Sequence, residues 1–481
     1  MTLSTEHKIS DERRILRFPE GFLWGASTSH FQIEGHPLER RTRLSDWSHW
    51  TAIAGKIADS TTADVACDFH SRYKSDIEIL KSLNLNALRI SLNWAVLLPN
   101  GNGRKAKKLN SEAVKYYREL LLELKERGIR SFVTLFHFCL PKWLADRGGW
   151  QNPETAEAFG QFAELAAESF HDLADFWITV NEPMPYAYQG YVDGSWPPGE
   201  KRNYLGAFQC IRNMLVGHAK AYHALRKVDA GAQVSFANHW RPFAPLRLYS
   251  PLDHMVSWYR DRVFNHLFPS AVHTGEISFP APINMRKAVK SIAGPVEGLQ
   301  GTLDYLGVNY YTRDLSEHDA AAPFDVFGKS AKAAEKETSC MGWESYPDGL
   351  YSILTREIIP YQTSHDGKER PIYITENGFA TLFPAHLIEG DWSLTDEFRI
   401  KYLVSHLMAL HKAIKRGANV KGYLYWSLLD NFEWAEGLKY RFGLVRVAFP
   451  TQERTLRKSA HVYAKIAEQN AIDLSMTSEM I

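Results

Sequence analysis

DFWITVNE, residues 175–182, is a run of apolar and β-branched side chains that ends in two polar ones. Such a run is typical of a strand buried on both faces of a parallel sheet. The pattern recurs along the chain in FLWGA (22–26), ALRISLNW (87–94), RSFVTLFHF (130–138), QVSFANH (233–239), LDYLGVNYY (303–311), PIYITENG (371–378) and GYLYWSLLD (422–430). Helix-like stretches separate these eight runs, which favours parallel pairing through helical crossovers. The sequence therefore predicts an α/β fold with a closed (β/α)8 TIM barrel.

The stretches between the predicted strands have the periodicity of amphipathic helices. In residues 111–127 apolar side chains recur at steps of three and four, Asn110 or Ser111 can cap the start, and Gly128 suits the left-handed position after the end. The stretch from about residue 395 has the same spacing and ends near Gly417. Both apolar faces are expected to pack on the sheet.

The chain is expected to form one domain. Its 481 residues would suffice for several domains of average size, but a single barrel can exceed about 400 residues and no linker interrupts the alternation. We predict an N-terminal extension over residues 1–15, a barrel domain over 16–470 and a C-terminal tail over 471–481. The irregular stretch 320–340 predicts a loop insertion between the sixth and seventh units.

Composition argues against nucleic-acid and membrane partners. A formal net charge of +1 removes the broad electrostatic attraction on which non-specific nucleic-acid binding depends. The basic run RKAKK (104–108) is interpreted as a solvated loop. The polar start of the chain lacks the apolar run of a secretory signal, and no stretch of about 18 apolar residues occurs. Four widely spaced cysteines favour reduced thiols, so the expected location is cytoplasmic.

Polar side chains stand at the carboxyl ends of the predicted strands, where the active site of a β/α barrel lies. Asn181 and Glu182 end the fourth strand, and Glu376 follows the apolar part of the seventh. Cleavage of a glycosidic bond needs one carboxylic acid to protonate the leaving oxygen and one carboxylate to meet the developing positive charge. Glu182 and Glu376 are therefore candidates for such a pair, because barrel closure can bring distant strands to one pocket.

An ordered set of motifs strengthens this interpretation, and through it the chain resembles glycoside hydrolase family 1, the β-glucosidase and β-galactosidase family of retaining enzymes. The resemblance spans about residues 16–465. The motifs are FLWGASTSHFQIEG (22–35), LRISLNW (88–94), TLFHFCLPKWL (134–144), TVNEP (179–183), DYLGVNYYT (304–312), MGWESYPDGL (341–350), YITENG (373–378) and GYLYWSLLDNFEWAEG (422–437).

The resemblance implies a role for each candidate residue. Glu182 would be the general acid and base, and Glu376 the nucleophile that forms a covalent glycosyl intermediate. Arg89, Asn309 and Tyr311 are expected to support Glu376 and keep its pKa low, whereas Glu182 should hold its proton near neutral pH. The residues expected to bind the sugar or its leaving group are Gln32, His137, Asn181, Trp343, Trp426, Glu433 and Trp434.

The implied activity is that of an exo-acting β-glucosidase that needs no cofactor and no metal. Its expected substrates are small β-glucosides and oligosaccharides, with galactosides and fucosides also accepted and transfer to alcohol acceptors possible. Phe138 stands where many family members carry Trp, which removes an indole N–H donor and puts discrimination between gluco and galacto sugars in doubt.

Two alternatives stay open at the level of sequence. The first is a 6-phospho-β-glycosidase, whose relatives usually replace the acidic residue at position 433 and place Lys and Tyr just downstream to bind the phosphate. This chain has Glu433, Tyr440 and Phe442 there. The second is a non-catalytic sugar-binding relative, and such proteins commonly lack one of the two glutamates that are present here.

Overall fold

The computed structural model describes residues 15–99, 108–278, 289–290, 292–320, 328–331, 338–364, 366–382 and 393–475. Its centre is a closed barrel of eight strands, each parallel to both of its neighbours. All eight predicted strands are confirmed. In chain order they are β1 (Leu23–Ser27), β2 (Ala87–Ser91), β3 (Arg130–Phe136), β4 (Phe176–Asn181), β5 (Gln233–Trp240), β6 (Leu306–Tyr310), β7 (Ile372–Asn377) and β8 (Val420–Trp426).

A helix follows each barrel strand before the next strand begins, as the right-handed crossover of a parallel sheet requires. These helices are α1 (Phe69–Ser82), α2 (Ser111–Glu126), α3 (Pro153–Phe170), α4 (Tyr204–Val228), α5 (Leu267–Thr274), α6 (Pro347–Ser352), α7 (Ser393–Lys415) and α8 (Lys458–Gln469). The predicted caps of α2 are confirmed: Asn110 accepts hydrogen bonds from two backbone N–H groups of the first turn, and Gly128 has φ +69°.

Short elements complete the described part of the chain. The other helices are His30–Ile33, Pro37–Thr42, Asp46–Trp50, Trp94–Leu97, Lys142–Ala145, Gly149–Gln151, Pro183–Ala187, Tyr188–Asp193, Pro251–Asp261, Arg262–His266, Ile353–Glu357, Ile359–Gln362 and Trp434–Glu436. The strands outside the barrel are Ile15–Arg17, Phe243–Pro245, Glu276–Ile277, Gly294–Pro295, Asp314–His318, Gly328–Ala331, Thr381–Leu382, Tyr440–Arg441, Val445–Ala448, Glu453–Leu456 and Ala471–Asp473. Among the described helices, none combines the length and apolar character needed to cross a membrane.

Several predictions concern the edges of the barrel. Ile15–Arg17 pairs antiparallel with Ala471–Asp473, so the predicted boundary between barrel and tail falls at this ribbon. Within the predicted insertion, Gly328–Ala331 pairs antiparallel with Asp314–His318, while residues 321–327 and 332–337 lie outside the described residues. Residues 104–107 of the basic run also lie outside them.

The end of the barrel at which the strands begin is filled by aromatic side chains. Phe132 of β3 stacks on Phe176 of β4 with ring centroids 4.3 Å apart, and Tyr305 and Tyr373 pack edge-on against this pair. These four rings are buried. The opposite end, where the carboxyl ends of the strands meet, opens into a cavity.

Candidate active site

A cavity of about 460 Å³ opens at the carboxyl ends of the barrel strands. Eight of the predicted site residues line it: His137, Glu182, Tyr311, Trp343, Glu376, Trp426, Glu433 and Trp434. The other four, Gln32, Arg89, Asn181 and Asn309, are buried and form hydrogen bonds to these residues or to one another. The structure thus brings all the predicted site residues together.

Backbone irregularities aim the two glutamates at the cavity. The pairing register shifts between Ile178 and Asn181 on β4 and between Ile374 and Asn377 on β7, next to each glutamate. Glu182 itself has φ +44°, a left-handed conformation that is uncommon for a residue with a Cβ. Bulges and positive φ values of this kind re-aim side chains and concentrate at functional sites.

Glu376 is held by a cation and a hydroxyl. The guanidinium of Arg89 donates from Nη1 to Glu376 Oε1 over 2.5 Å, and the Tyr311 hydroxyl donates to Oε2 over 2.6 Å. Arg89 is itself fixed, because it also donates to Thr134 Oγ1 and to Asn181 Oδ1. Both carboxylate oxygens therefore have a charged or phenolic donor, which suits a group that must act as an anion.

Glu182 has different neighbours. Asn309 Nδ2 donates to Glu182 Oε1 over 2.8 Å and to Asn181 Oδ1 over 3.1 Å. His239 Nδ1 lies 3.2 Å from the same Glu182 oxygen. The expectation that Asn309 supports Glu376 directly is therefore wrong. Asn309 turns toward the other glutamate because Thr375 fixes its amide by donating to Oδ1.

The pKa values of the two glutamates differ from the expectation. Burial raises the pKa of Glu376 to about 7; Arg89 and Tyr311 oppose this effect, and repulsion from Glu182 adds to it. Burial would also raise the pKa of Glu182, but His239, Asn309 and Arg89 outweigh it and lower that pKa. The pKa of Glu376 therefore lies above its ordinary value and that of Glu182 below it, so the expected low pKa of Glu376 is wrong.

The floor of the cavity carries paired hydrogen-bonding groups. Gln32 Nε2 donates to the Phe432 carbonyl oxygen over 2.9 Å and lies 3.3 Å from Glu433 Oε2, while Ser29 donates to Gln32 Oε1. Burial and repulsion from Glu376 and Glu182 raise the pKa of Glu433 to about 8. At neutral pH the Glu433 carboxyl can thus donate one hydrogen bond and accept another, a combination that suits a vicinal diol.

Aromatic rings form the remaining walls. His137 stacks nearly parallel to Trp426 and to Trp434, with centroids 6.0 Å apart in each case. Trp343 packs at a tilt on Tyr311 with centroids 5.2 Å apart, toward the mouth. Phe138 faces the cavity with φ +69° and packs on Trp434, so the indole expected in many relatives is replaced by a purely apolar ring.

The sequence analysis missed several residues of the cavity wall, and two of them are basic, His239 and Arg241. His239 ends the predicted fifth strand, so the strand-end rule could have identified it. Arg241 lies two residues further on, and its side-chain Nε has no hydrogen-bond partner among the described residues. Nothing in the sequence marks Arg241, because its approach to the cavity depends on how the chain turns after β5.

Gly378, which follows the end of β7, permits close contact with β8. A Cβ at this position would overlap the carbonyl oxygen of Trp426. Gly378→Ala should therefore displace the end of β7 together with Glu376, costing about 1–3 kcal/mol of stability and about 100-fold in kcat/KM. Urea unfolding and kinetics on a nitrophenyl glycoside measure both effects. Gly231→Ala is the control, since its nearest neighbour is a side-chain oxygen at 3.3 Å; equal effects of the two variants would contradict the prediction.

Comparison with known proteins gives a consistent result. The sequence profile described as Glycosyl hydrolase family 1 matches residues 15–472. Beta-glucosidase A of Thermotoga maritima is 34% identical over 95% of this chain and 99% of its own length. The structure of the family 1 β-glucosidase from the same organism superposes with a TM-score of 0.84 at 32% identity, over 95% of this chain and 99% of that one. A 6-phospho-beta-galactosidase of Staphylococcus aureus is 30% identical over 94% of this chain and 99% of its own length.

Proposed function

The chain belongs to glycosyl hydrolase family 1, and from this premise we propose that it is a retaining, exo-acting β-glucosidase. The observation that carries the proposal is the setting of Glu376, which accepts hydrogen bonds from Arg89 and Tyr311 on the wall of a cavity that Glu182 shares. A carboxylate held in this way can attack a sugar as an anion. Its two hydrogen-bond donors stay in contact with it while its negative charge is lost in the new ester bond.

In the first step, an oxygen of Glu376 attacks the anomeric carbon of the terminal sugar. The bond between that carbon and the leaving-group oxygen breaks, and the leaving oxygen takes the proton of Glu182. Arg89 stabilises the ionised Glu376 before the attack. The products of this step are the free leaving group and a glycosyl ester on Glu376.

In the second step, water attacks the anomeric carbon and the ester bond to Glu376 breaks. Glu182, now ionised, takes the proton of the water, and the sugar leaves with its original anomeric configuration. Loss of the negative charge on Glu376 in the ester removes the repulsion between the two carboxylates, which lowers the pKa of Glu182 as the base role requires. An alcohol in place of water would give transfer to that acceptor.

The first step needs the proton on Glu182, whereas the directions of the two pKa shifts favour a proton on Glu376. The lowered pKa of Glu182 depends largely on charge at His239, 3.2 Å away. A sugar that excludes water from the cavity adds to the desolvation of Glu182, which raises its pKa. We therefore expect substrate binding to favour the proton on the residue that must donate it.

Non-reducing β-D-glucosyl ends are the proposed substrates, with β-galactosyl and β-fucosyl ends also accepted. Glu433, which lines the cavity, and Gln32, which contacts it, supply paired donors and acceptors for sugar hydroxyls. Trp426 presents a flat apolar surface to the C–H face of the ring. We propose that one sugar residue is removed at a time, as from cellobiose or an aryl glucoside.

The charges of the cavity wall disfavour a 6-phosphosugar. Among the described residues that line the cavity, Arg241 is the one permanently charged cation, and it faces five acidic side chains: Glu182, Asp193, Glu376, Glu433 and Glu436. A phosphate near Glu433 would be repelled unless that carboxyl stayed protonated. Phe442 also lines the wall with an apolar ring. The alternative of a 6-phospho-β-glycosidase therefore has weaker support.

The proposal is tested by kcat/KM on matched nitrophenyl β-glucoside, β-galactoside, β-fucoside and 6-phospho-β-glucoside. We expect the unphosphorylated sugars to exceed the phosphosugar by at least about 100-fold, since one buried unpaired charge costs several kcal/mol. Above pH 8, where Glu433 is ionised, Glu433→Gln is expected to narrow this ratio, because it removes the repelling charge and keeps the shape. Faster turnover of the phosphosugar by the unmodified enzyme would overturn the assignment of the sugar site.

We also propose that the protein works in a reducing compartment such as the cytoplasm. The support is that all four cysteines are free and that Cys67, Cys139 and Cys210 are buried. Buried thiols of this kind are ordinary in cytosolic proteins.

A further inference from the structure

A second cluster of ionisable side chains lies outside the catalytic cavity, where the segment before α5 meets the segment after α6. It consists of Asp261, His266 and Glu357, and their ligand atoms all lie within 4.8 Å of one another. The His266 side chain is buried, and its Nε2 has no hydrogen-bond partner among the described residues. A buried imidazole nitrogen aimed at two carboxylates is a donor set for a divalent transition metal.

The two distances from the His266 imidazole are long for hydrogen bonds and are of the size expected between two ligands of one metal ion. His266 Nε2 lies 3.4 Å from Asp261 Oδ2 and 3.4 Å from Glu357 Oε2, beyond the usual 2.7–3.2 Å range of an N–H···O bond. Two ligands at about 2.1 Å from a tetrahedral Zn²⁺ ion are about 3.4 Å apart. We propose that Asp261, His266 and Glu357 bind a divalent transition-metal ion, with solvent at the fourth position.

Neighbouring groups orient both ends of the cluster. His266 Nδ1 lies 2.8 Å from the Tyr361 hydroxyl, which lies 2.9 Å from Ser270 Oγ. If Nδ1–H donates to Tyr361 and Tyr361 donates to Ser270, the Nε2 lone pair faces the carboxylates, as in metal sites with a supporting outer shell. Asp261 Oδ1 accepts a hydrogen bond from Asn265 over 2.7 Å, which leaves Oδ2 for the ion.

The solvent access of the cluster and the charges of its side chains also suit a divalent cation. The side chain of Asp261 is 18% exposed and that of Glu357 is 33% exposed, so water reaches the cluster from one side. Two carboxylates and a neutral imidazole balance the charge of a divalent cation. The nearest competing cation is Arg262, whose Nε lies 3.8 Å from Asp261 Oδ2 in an exposed side chain. The sequence predicted no metal, because these residues match no motif and are brought together by helix packing.

The cluster is connected to the catalytic cavity through Asn265. Arg241 N donates to Asn265 Oδ1 over 2.8 Å, and Asn265 Nδ2 donates to the Arg241 carbonyl oxygen over 2.7 Å. Arg241 and Phe264 both line the cavity. An ion on Asp261 and His266 would therefore hold in place one wall of the leaving-group side, and its role would be structural.

The alternative occupant of the cluster is a proton. Burial alone would lower the pKa of His266, but Asp261 and Glu357 outweigh it and raise that pKa, so the three groups can form an ion pair instead. Titration of chelator-treated protein with Zn²⁺, in competition with a chromophoric chelator, distinguishes a bound metal ion from a bound proton. We expect one tight equivalent, and free Zn²⁺ at 100 times Kd should raise the folded-to-unfolded ratio about 100-fold.

Variants of the cluster residues test whether the tight Zn²⁺ site is this cluster. Glu357→Gln and His266→Gln should weaken the tight site by at least about 100-fold, and Tyr361→Phe by about 10-fold. His461→Gln, at an exposed histidine on α8, is the control. Ca²⁺ and Mg²⁺ should not stabilise the protein, because they require more oxygen ligands. Equal Zn²⁺ affinity of Glu357→Gln and the unmodified protein, or the absence of a tight equivalent, would establish the ion pair and overturn the proposal. The half-buried position of Glu357 keeps the test valid if His266→Gln fails to fold.

Discussion

Glu376→Ala is expected to lower kcat/KM for nitrophenyl β-glucoside by about 10⁵-fold, the largest loss of any single substitution in this chain. The reason is that, within the described part of the chain, no other carboxylate accepts hydrogen bonds from both Arg89 and Tyr311. Removal of the nucleophile leaves Glu182 and the sugar-binding residues in place, so the substrate should still bind. Steady-state kinetics on purified protein measures the loss.

Chemical rescue distinguishes loss of the nucleophile from loss of the fold. Azide can enter the space vacated by the Glu376 side chain and attack the anomeric carbon, and the expected product is α-glucosyl azide, with inverted configuration. Glu78→Ala, at an exposed position of α1, is the matched control and should keep full activity. If Glu376→Ala retained glucoside hydrolysis within about tenfold of the unmodified enzyme, the assignment of the nucleophile would be wrong.

Glu182→Ala should have an effect that depends on the leaving group. For an alkyl or unsubstituted phenyl glucoside, which needs protonation, kcat/KM should fall by about 10⁴-fold, whereas for dinitrophenyl glucoside it should fall by less than about 100-fold. With the activated substrate the second step becomes limiting, so kcat and KM should fall together. Azide should then restore turnover and give β-glucosyl azide, the opposite anomer to that from Glu376→Ala.

The pH profile of Glu182→Gln gives an independent check. Repulsion from Glu182 is one cause of the raised pKa of Glu376, which is about 7 in the free enzyme. Without that negative charge the ionised form of Glu376 is favoured, so its pKa should fall. The acid limb of kcat/KM for dinitrophenyl glucoside should move to lower pH in Glu182→Gln. An unchanged acid limb would show that the two carboxylates do not interact.

The local sequence was sufficient to predict the barrel, because each strand or helix pattern is contained in a short segment of the chain. Each of the eight runs has the high apolar content of a strand that is buried on both faces. The helix over Ser111–Glu126 has both its capping residue and its terminating glycine in the adjoining sequence. The same reasoning identified Glu182 and Glu376, since strand ends are positions that can be counted along the chain. The residue types needed for sugar hydroxyls and for the sugar face also follow from the motifs.

The sequence alone determined the fold class and the family, and it predicted twelve residues that line the cavity or form hydrogen bonds to those that do. The tertiary structure alone decided which of them touch: Asn309 donates to Glu182 and not to Glu376, and His239 lies beside Glu182. It also decided the pKa directions at the two glutamates and brought Asp261, His266 and Glu357 together. The physical reason is that desolvation and charge interactions depend on distances between atoms whose residues lie far apart in the chain, and these distances exist only after the helices and strands have packed.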